Sequence, residues 1–138
     1  EVRAQRRTDD ELLADRIETV GVEAFIDEWL KNPLFTGLTP NQAMRVDRLR
    51  NTADGLASSL RLAGTGTQMP LWDRLRDISC PVLLLVGQHD HKFSELAARM
   101  ATALPNAELR TITHAGHSVH LEQPERTVDA LVDWMAKE

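Results

Sequence analysis

At 138 residues the chain has room for one domain, or for part of a larger one. A hydrophobic fraction of 42% with 27% charged residues excludes a disordered tail, and a net charge of −5 argues against a nucleic-acid backbone as partner. The positive stretch Arg3-Ala4-Gln5-Arg6-Arg7 is offset at once by Asp9, Asp10 and Glu11, which reads as a solvated helix entry. The lone Cys80 forms no internal disulfide and points to a reducing, cytoplasmic setting; beside Pro81 it reads as a small packing residue. No apolar run approaches the roughly 18–20 residues of a membrane span, and no signal peptide opens the chain. The chain starts on Glu1 rather than Met, so an upstream part is expected.

Thr8-Asp9-Asp10-Glu11 has the form of a capping box, and Leu12, Leu13, Arg16, Ile17 and Val20 follow it at helical spacing. Gly21 is expected to break or bend that helix. A second helix over Val22–Lys31 carries Phe25, Ile26, Trp29 and Leu30 on one stripe and ends at Asn32-Pro33. Thr39-Pro40-Asn41-Gln42 forms another capping box, predicting a helix to about Arg50. A further helix spans Asp54–Ala63, and Gly64-Thr65-Gly66 closes the helical region. From Met69 the pattern changes. Residues 70–75 read as a linker or a short helical turn. Val82-Leu83-Leu84-Leu85-Val86 is an unbroken apolar run, as in a parallel strand buried on both faces. A helix follows over Ser94–Leu104, then an alternating strand over Leu109–Thr113. A last helix, Pro124–Ala136, is expected to bury Val128, Leu131, Val132 and Met135, with Trp134 at its margin. Strand–helix–strand–helix predicts a parallel crossover. Two strands make no stable sheet by themselves, so something must cover the bare edge of Val82–Val86.

Chemistry concentrates in two loops that leave strand ends, where open α/β sheets place their sites. Gly87-Gln88-His89-Asp90 offers an acid, Asp90. His114-Ala115-Gly116-His117 offers a base, His117. Together they form a candidate pair in which the carboxylate orients the imidazole and the imidazole moves a proton. The alternative is an N-cap Asp and a loop His. His89, His91, His114 and His120 match no closed zinc set, and His114 and His120 read as polar loop residues. Trp29 and Phe35 are core or lid packing, or the wall of a pocket. Arg48 and Arg50 are exposed charges, or carboxylate ligands if their helix roofs a pocket. Ser58, Ser59, Ser79, Ser94 and Ser118 all lie outside a Gly-x-Ser-x-Gly elbow, so no nucleophile is evident.

Strand-Gly-x-x-Asp90-x-Lys92-Phe93, followed by Ala115-Gly116-His117-x-x-His120-x-Glu122-x-Pro124 and a closing helix, resembles the C-terminal part of the α/β-hydrolase fold. The resemblance implies an α/β chain of parallel strands and crossover helices preceded by a helical lid. Residues 1–68 correspond to the lid and 69–138 to the core, and Asp90 and His117 correspond to the triad acid and histidine. Trp29-Leu30-Lys31-Asn32-Pro33-Leu34-Phe35 with Arg48-Leu49-Arg50-Asn51 is similar to the 2-succinyl-6-hydroxy-2,4-cyclohexadiene-1-carboxylate synthases of menaquinone biosynthesis. In that family the matching Trp29 and Phe35 line the pocket. Arginines hold the substrate's carboxylates, with Arg50 the best match and Arg6 a second. The enzymes eliminate pyruvate from a small dicarboxylate with a Ser-His-Asp triad, and no metal or organic cofactor is implied. The family's nucleophile and oxyanion hole lie in an N-terminal half that these residues do not include, so this chain is expected to be inactive alone. Activity would need that half, while the bare strand edge would be covered by that half or by a second copy of the chain. Two rivals stand beside this reading: a carboxylesterase or C–C-bond hydrolase of the same fold, and a non-catalytic fragment that folds by association.

Overall fold

The computed structural model describes residues 2–137. They form two compact units. The first comprises the chain up to Asn32 together with Met44–Pro70, and the second comprises Pro33–Ala43 and everything from Leu71 onward.

The first unit is helical. Helix α1 runs Val2–Trp29, α2 Arg45–Arg48 and α3 Ala53–Ala63. Helix α1 begins six residues before the expected cap: Ala4, Gln5, Arg6 and Arg7 are strong helix formers, so the helix is under way by Thr8. The Thr8 hydroxyl donates to the Ala4 carbonyl instead of capping anything. Gly21 bends the helix as expected, at φ 81° and ψ 166°, angles that a side chain strongly disfavours. An Arg16–Glu28 ion pair spans the bend. Ile17, Phe25 and Ile26 form the buried core, with Leu13, Trp29, Leu49, Leu56 and Leu60 packed on it. Leu12 and Val20 face solvent. Arg61 on α3 reaches three carboxylates of α1, Glu11 at 2.8 Å, Asp15 at 2.6 Å and Glu18 at 2.7 Å. Thr52 caps α3 by accepting from the Gly55 amide at 3.1 Å.

The expected helix from Thr39 is shorter than the sequence suggests. The capping bonds themselves form: Gln42 Oε1 accepts from the Thr39 amide at 2.9 Å, and Thr39 Oγ1 accepts from the Gln42 amide at 3.3 Å. They close a turn, because Met44 adopts left-handed angles and α2 covers only Arg45–Arg48. Pro33–Phe35 is a single 3₁₀ turn.

In the second unit a 3₁₀ turn at Trp72–Asp77 precedes strand β1 (Val82–Gly87), helix α4 (His91–Ala103), strand β2 (Ala107–Ile112), the short α5 (Val119–Glu122) and α6 (Pro124–Met135). The strands pair in parallel, from Val82 opposite Ala107 to Gly87 opposite Ile112. Ile112, Ala115 and Ala130 form the core here, with Leu85 and Val119 packed against them. Three expectations about burial fail. Val82–Leu85 are half-buried rather than enclosed, since β1 pairs on one side only among the described residues. On α6, Thr127 and Ala130 are the buried residues, while Val128 is 55% exposed and Leu131, Val132 and Met135 also face solvent. Cys80, expected to pack, is exposed as well.

Candidate active site

The two loops meet because β1 and β2 are parallel neighbours, so both leave the sheet at the same end. Their backbones interlock. The Gln88 amide donates to the Ile112 carbonyl at 3.0 Å and the His89 amide to the Ala115 carbonyl at 2.9 Å. Gly87 is needed for this approach: a Cβ there would collide with the Gly116 carbonyl oxygen and lie 2.6 Å from that of Ala115. Neither neighbour is a flexible side chain that could move aside.

Asp90 serves two partners at once. Oδ1 accepts from the Phe93 amide at 3.3 Å and caps α4. Oδ2 lies 2.7 Å from His117 Nδ1. The two sequence readings of this residue, helix cap and orienting acid, are therefore both present, one on each oxygen. The Asp90 side chain is 8% exposed and that of His117 31%. Since a carboxylate only accepts, Nδ1 carries the hydrogen, and the neutral imidazole keeps its lone pair on Nε2. The Phe93 ring lies against the imidazole, with centroids 4.6 Å apart. A shielded carboxylate thus fixes the tautomer and orientation of a more accessible ring, as a proton-transferring histidine requires.

Beside the pair lies a cavity of about 460 Å³, large enough for a small-molecule ligand. Its lining includes His89, Asp90, His117 and Glu122, faced by Pro33, Leu34, Thr36 and Gly37. Phe35 is half-buried within that same segment.

The other expected ligands belong to the first unit. Trp29 stacks on Phe25, with ring centroids 5.8 Å apart. The Arg50 side chain is 82% exposed and makes a long 3.8 Å contact with Asp47. Arg6 pairs at 2.9 Å with Asp10, a buried residue whose other carboxylate oxygen has no hydrogen-bond partner among the described residues. The histidines remain apart as ligands: His91 opens α4, His120 lies on α5, and His114 takes left-handed angles (φ 59°) between the two elements. Among the described residues no group of three or more His, Cys, Asp or Glu is arranged to hold a metal ion. Also among them, no helix is long and apolar enough to cross a membrane.

Sequence reasoning overlooked two residues. Phe93 contacts the imidazole although its sequence position marked it only as part of a motif. Glu122 accepts from the Gly116 amide at 2.7 Å and the Ser118 amide at 3.0 Å, on either side of His117. Its offset of five residues from the histidine was the available signal.

The chain resembles several known proteins in sequence and fold. Curated relatives include a "Putative 2-succinyl-6-hydroxy-2,4-cyclohexadiene-1-carboxylate synthase" from Bacillus subtilis and a 2-succinyl-6-hydroxy-2,4-cyclohexadiene-1-carboxylate synthase from Salmonella heidelberg. The one from Bacillus subtilis is 40% identical over 127 residues, covering 88% of this chain and 46% of its own length. The one from Salmonella heidelberg is 32% identical over 133 residues, covering 95% and 51%. Among solved structures, MenH from S. aureus superposes with a TM-score of 0.94 at 31% identity over 98% of this chain and 53% of its own. A thermophilic esterase from Thermogutta terrifontis superposes at 0.76 with 28% identity, over 96% and 50%. The chain spans about half the length of the proteins it matches. Its sequence fits the alpha/beta hydrolase family over residues 3–130, and with the parallel strands and the paired strand-end loops in place, the chain belongs to that family.

Proposed function

We propose that this chain is the lid and C-terminal half of a lyase that eliminates pyruvate from 2-succinyl-5-enolpyruvyl-6-hydroxy-3-cyclohexene-1-carboxylate in menaquinone synthesis. The observation that carries the reading is the 2.7 Å contact between Asp90 Oδ2 and His117 Nδ1 at adjacent strand ends. Identity to synthases of that name supports the choice of reaction. In this reading residues 1–68 form the lid and 69–138 the core segment. Asp90 orients His117, and His117 works with a serine supplied by an N-terminal half. The proton leaves the substrate ring for the serine–histidine pair. Its electron pair forms the C2–C3 double bond, the existing C3–C4 double bond shifts to C4–C5, and the C5–O bond to the enolpyruvyl group breaks, giving the 2,4-diene; the departing pyruvate enolate takes up a proton. Trp29 and Phe35 wall the substrate, and Arg50 and Arg6 hold two of its three carboxylates, as the resemblance implies. The exposure of Arg50 leaves it open to such a ligand, whereas Arg6 would have to share itself with Asp10. The enzyme works in the cytoplasm, and this chain alone is inactive, because the oxyanion-hole donors and the nucleophile come from the other half.

The test is pyruvate release by the complete enzyme, with His117→Ala as the control. Turnover of simple esters without pyruvate release would reject the lyase. A second reading, a carboxylesterase, draws on the likeness to the Thermogutta esterase. Arg50→Ala separates them: a carboxylate-binding role raises KM for the tricarboxylate substrate, while hydrolysis of an uncharged ester is unaffected.

A further inference from the structure

We propose that Glu122 is a positioning residue for His117, and that Gly37 lacks a side chain to make room for it. The proposal rests on the reading of His117 as the proton carrier. One carboxylate accepts from the amides of both residues that flank the histidine, Oε2 from Gly116 at 2.7 Å and Oε1 from Ser118 at 3.0 Å. Those two amides belong to the backbone from which the imidazole is hung. Asp90 fixes the ring at its Nδ1 end, and Glu122 fixes the main chain behind it. Hydrogen bonds to an ionised acceptor are about twice as strong as neutral ones, which suits a clamp on a loop. A glutamine cannot replace it, because its amide nitrogen would face one of the two N–H groups.

The segment Pro33–Ala43 is fitted to the same residue. A Cβ on Gly37 would fall inside contact distance of Glu122 Oε2 and 2.9 Å from its Cδ. Gln42 Nε2 donates to the Glu122 carbonyl oxygen at 3.4 Å. Glu122 therefore sits between the histidine loop and the segment that faces it across the cavity. A carboxylate present only to stabilise the start of α5 would need neither the second amide bond nor the bare Gly37.

The test is Glu122→Gln in the complete enzyme, with steady-state kinetics, thermal melting and proton NMR of the Nδ1–H shared with Asp90. A positioning role predicts a fall in kcat on the order of 100-fold, the cost of a small misplacement of a catalytic group, with KM within about twofold. The Nδ1–H resonance weakens or shifts while melting changes little. Unchanged kcat and resonance overturn the proposal, as does lost activity that tracks a lower melting temperature with the resonance intact. If Glu122→Gln does not fold, Gly37→Ala keeps the carboxylate but displaces it, and the same readouts decide. Activity that survives His117→Ala refutes the functional reading separately, while the Nδ1–H signal in Glu122→Gln still tests the clamp.

Discussion

If Asp90 orients His117 as proposed, catalysis and stability can be separated at one side chain, because its two oxygens have different partners. Oδ1 caps α4 through a 3.3 Å bond to the Phe93 amide, a long bond that places the cap near the low end of its usual range, about 0.5–1 kcal/mol. Oδ2 makes a short 2.7 Å bond to His117 Nδ1 from an 8% exposed carboxylate, worth about 1.5–3 kcal/mol as a hydrogen bond to a charged group. Asparagine caps helices as well as aspartate does, so Asp90→Asn should keep the first contribution and weaken the second. Asp90→Ala should lose both, about 2–4 kcal/mol in total, leaving the alanine variant roughly 0.5–1 kcal/mol or more below the asparagine variant. Activity should divide differently. Without the carboxylate the imidazole is no longer held as the Nδ1–H tautomer, and both variants should lose roughly 10,000-fold in kcat. Denaturant unfolding and pyruvate release by the complete enzyme supply the two measurements. Equal stability of the two variants would show that the cap contributes nothing, and an asparagine variant within tenfold of wild-type kcat would refute the orienting role.

Gly21→Ala should destabilise the first unit by about 1–3 kcal/mol, purely through backbone strain, since a Cβ there meets no atom within 4 Å; a gain in stability, as helix propensity alone predicts, would refute this. Hydrogen bonds from Arg61 hold the Glu18 carboxyl below its ordinary value of 4.5, so its contribution to stability is full above that pH and is lost as pH falls through the lowered value. Melting temperature followed from about pH 6 to pH 3 should therefore fall less steeply in Arg61→Ala, and an unchanged slope would show that the cluster is inert. If the proposed N-terminal half covers α6, Val128→Thr and Val132→Thr should each cost about 1–3 kcal/mol in the complete enzyme but under about 0.5 kcal/mol in this chain alone; small effects in both would mean that the face stays open.

The elements were legible wherever local chemistry decides them. Gly21, Asn32-Pro33, Thr52 and Gly64 punctuate the helices as their backbone preferences require. Errors arose where two local signals compete. Thr8 looks like a cap, yet the four residues before its box are good helix formers, and the longer helix prevails. Thr39 and Gln42 do make their capping bonds, but Met44 turns left-handed and nothing in its residue type announces that. Periodicity also marks which face of α6 is apolar without saying what will cover it. Val128, Val132 and Met135 fulfil the pattern and still face solvent, and the unpaired side of β1 raises the same question.

The site divides along similar lines. The pairing of Asp90 with His117 could be anticipated from sequence because each lies in a loop that leaves a strand end, and parallel pairing then brings the two loops together with no further information. Phe93 and Glu122 could not be assigned that way. Their roles depend on contacts across the chain: a ring laid on the imidazole and a carboxylate shared by two amides. Gly87 and Gly37 are the corresponding absences, positions where a methyl would strike a carbonyl or that carboxylate. A sequence shows a glycine but not the atom that excludes its side chain. The meeting of carboxylate and imidazole thus follows from topology, whereas the parts that hold them in register follow from packing, which is why a motif can contain Phe93 and Glu122 without revealing what they touch.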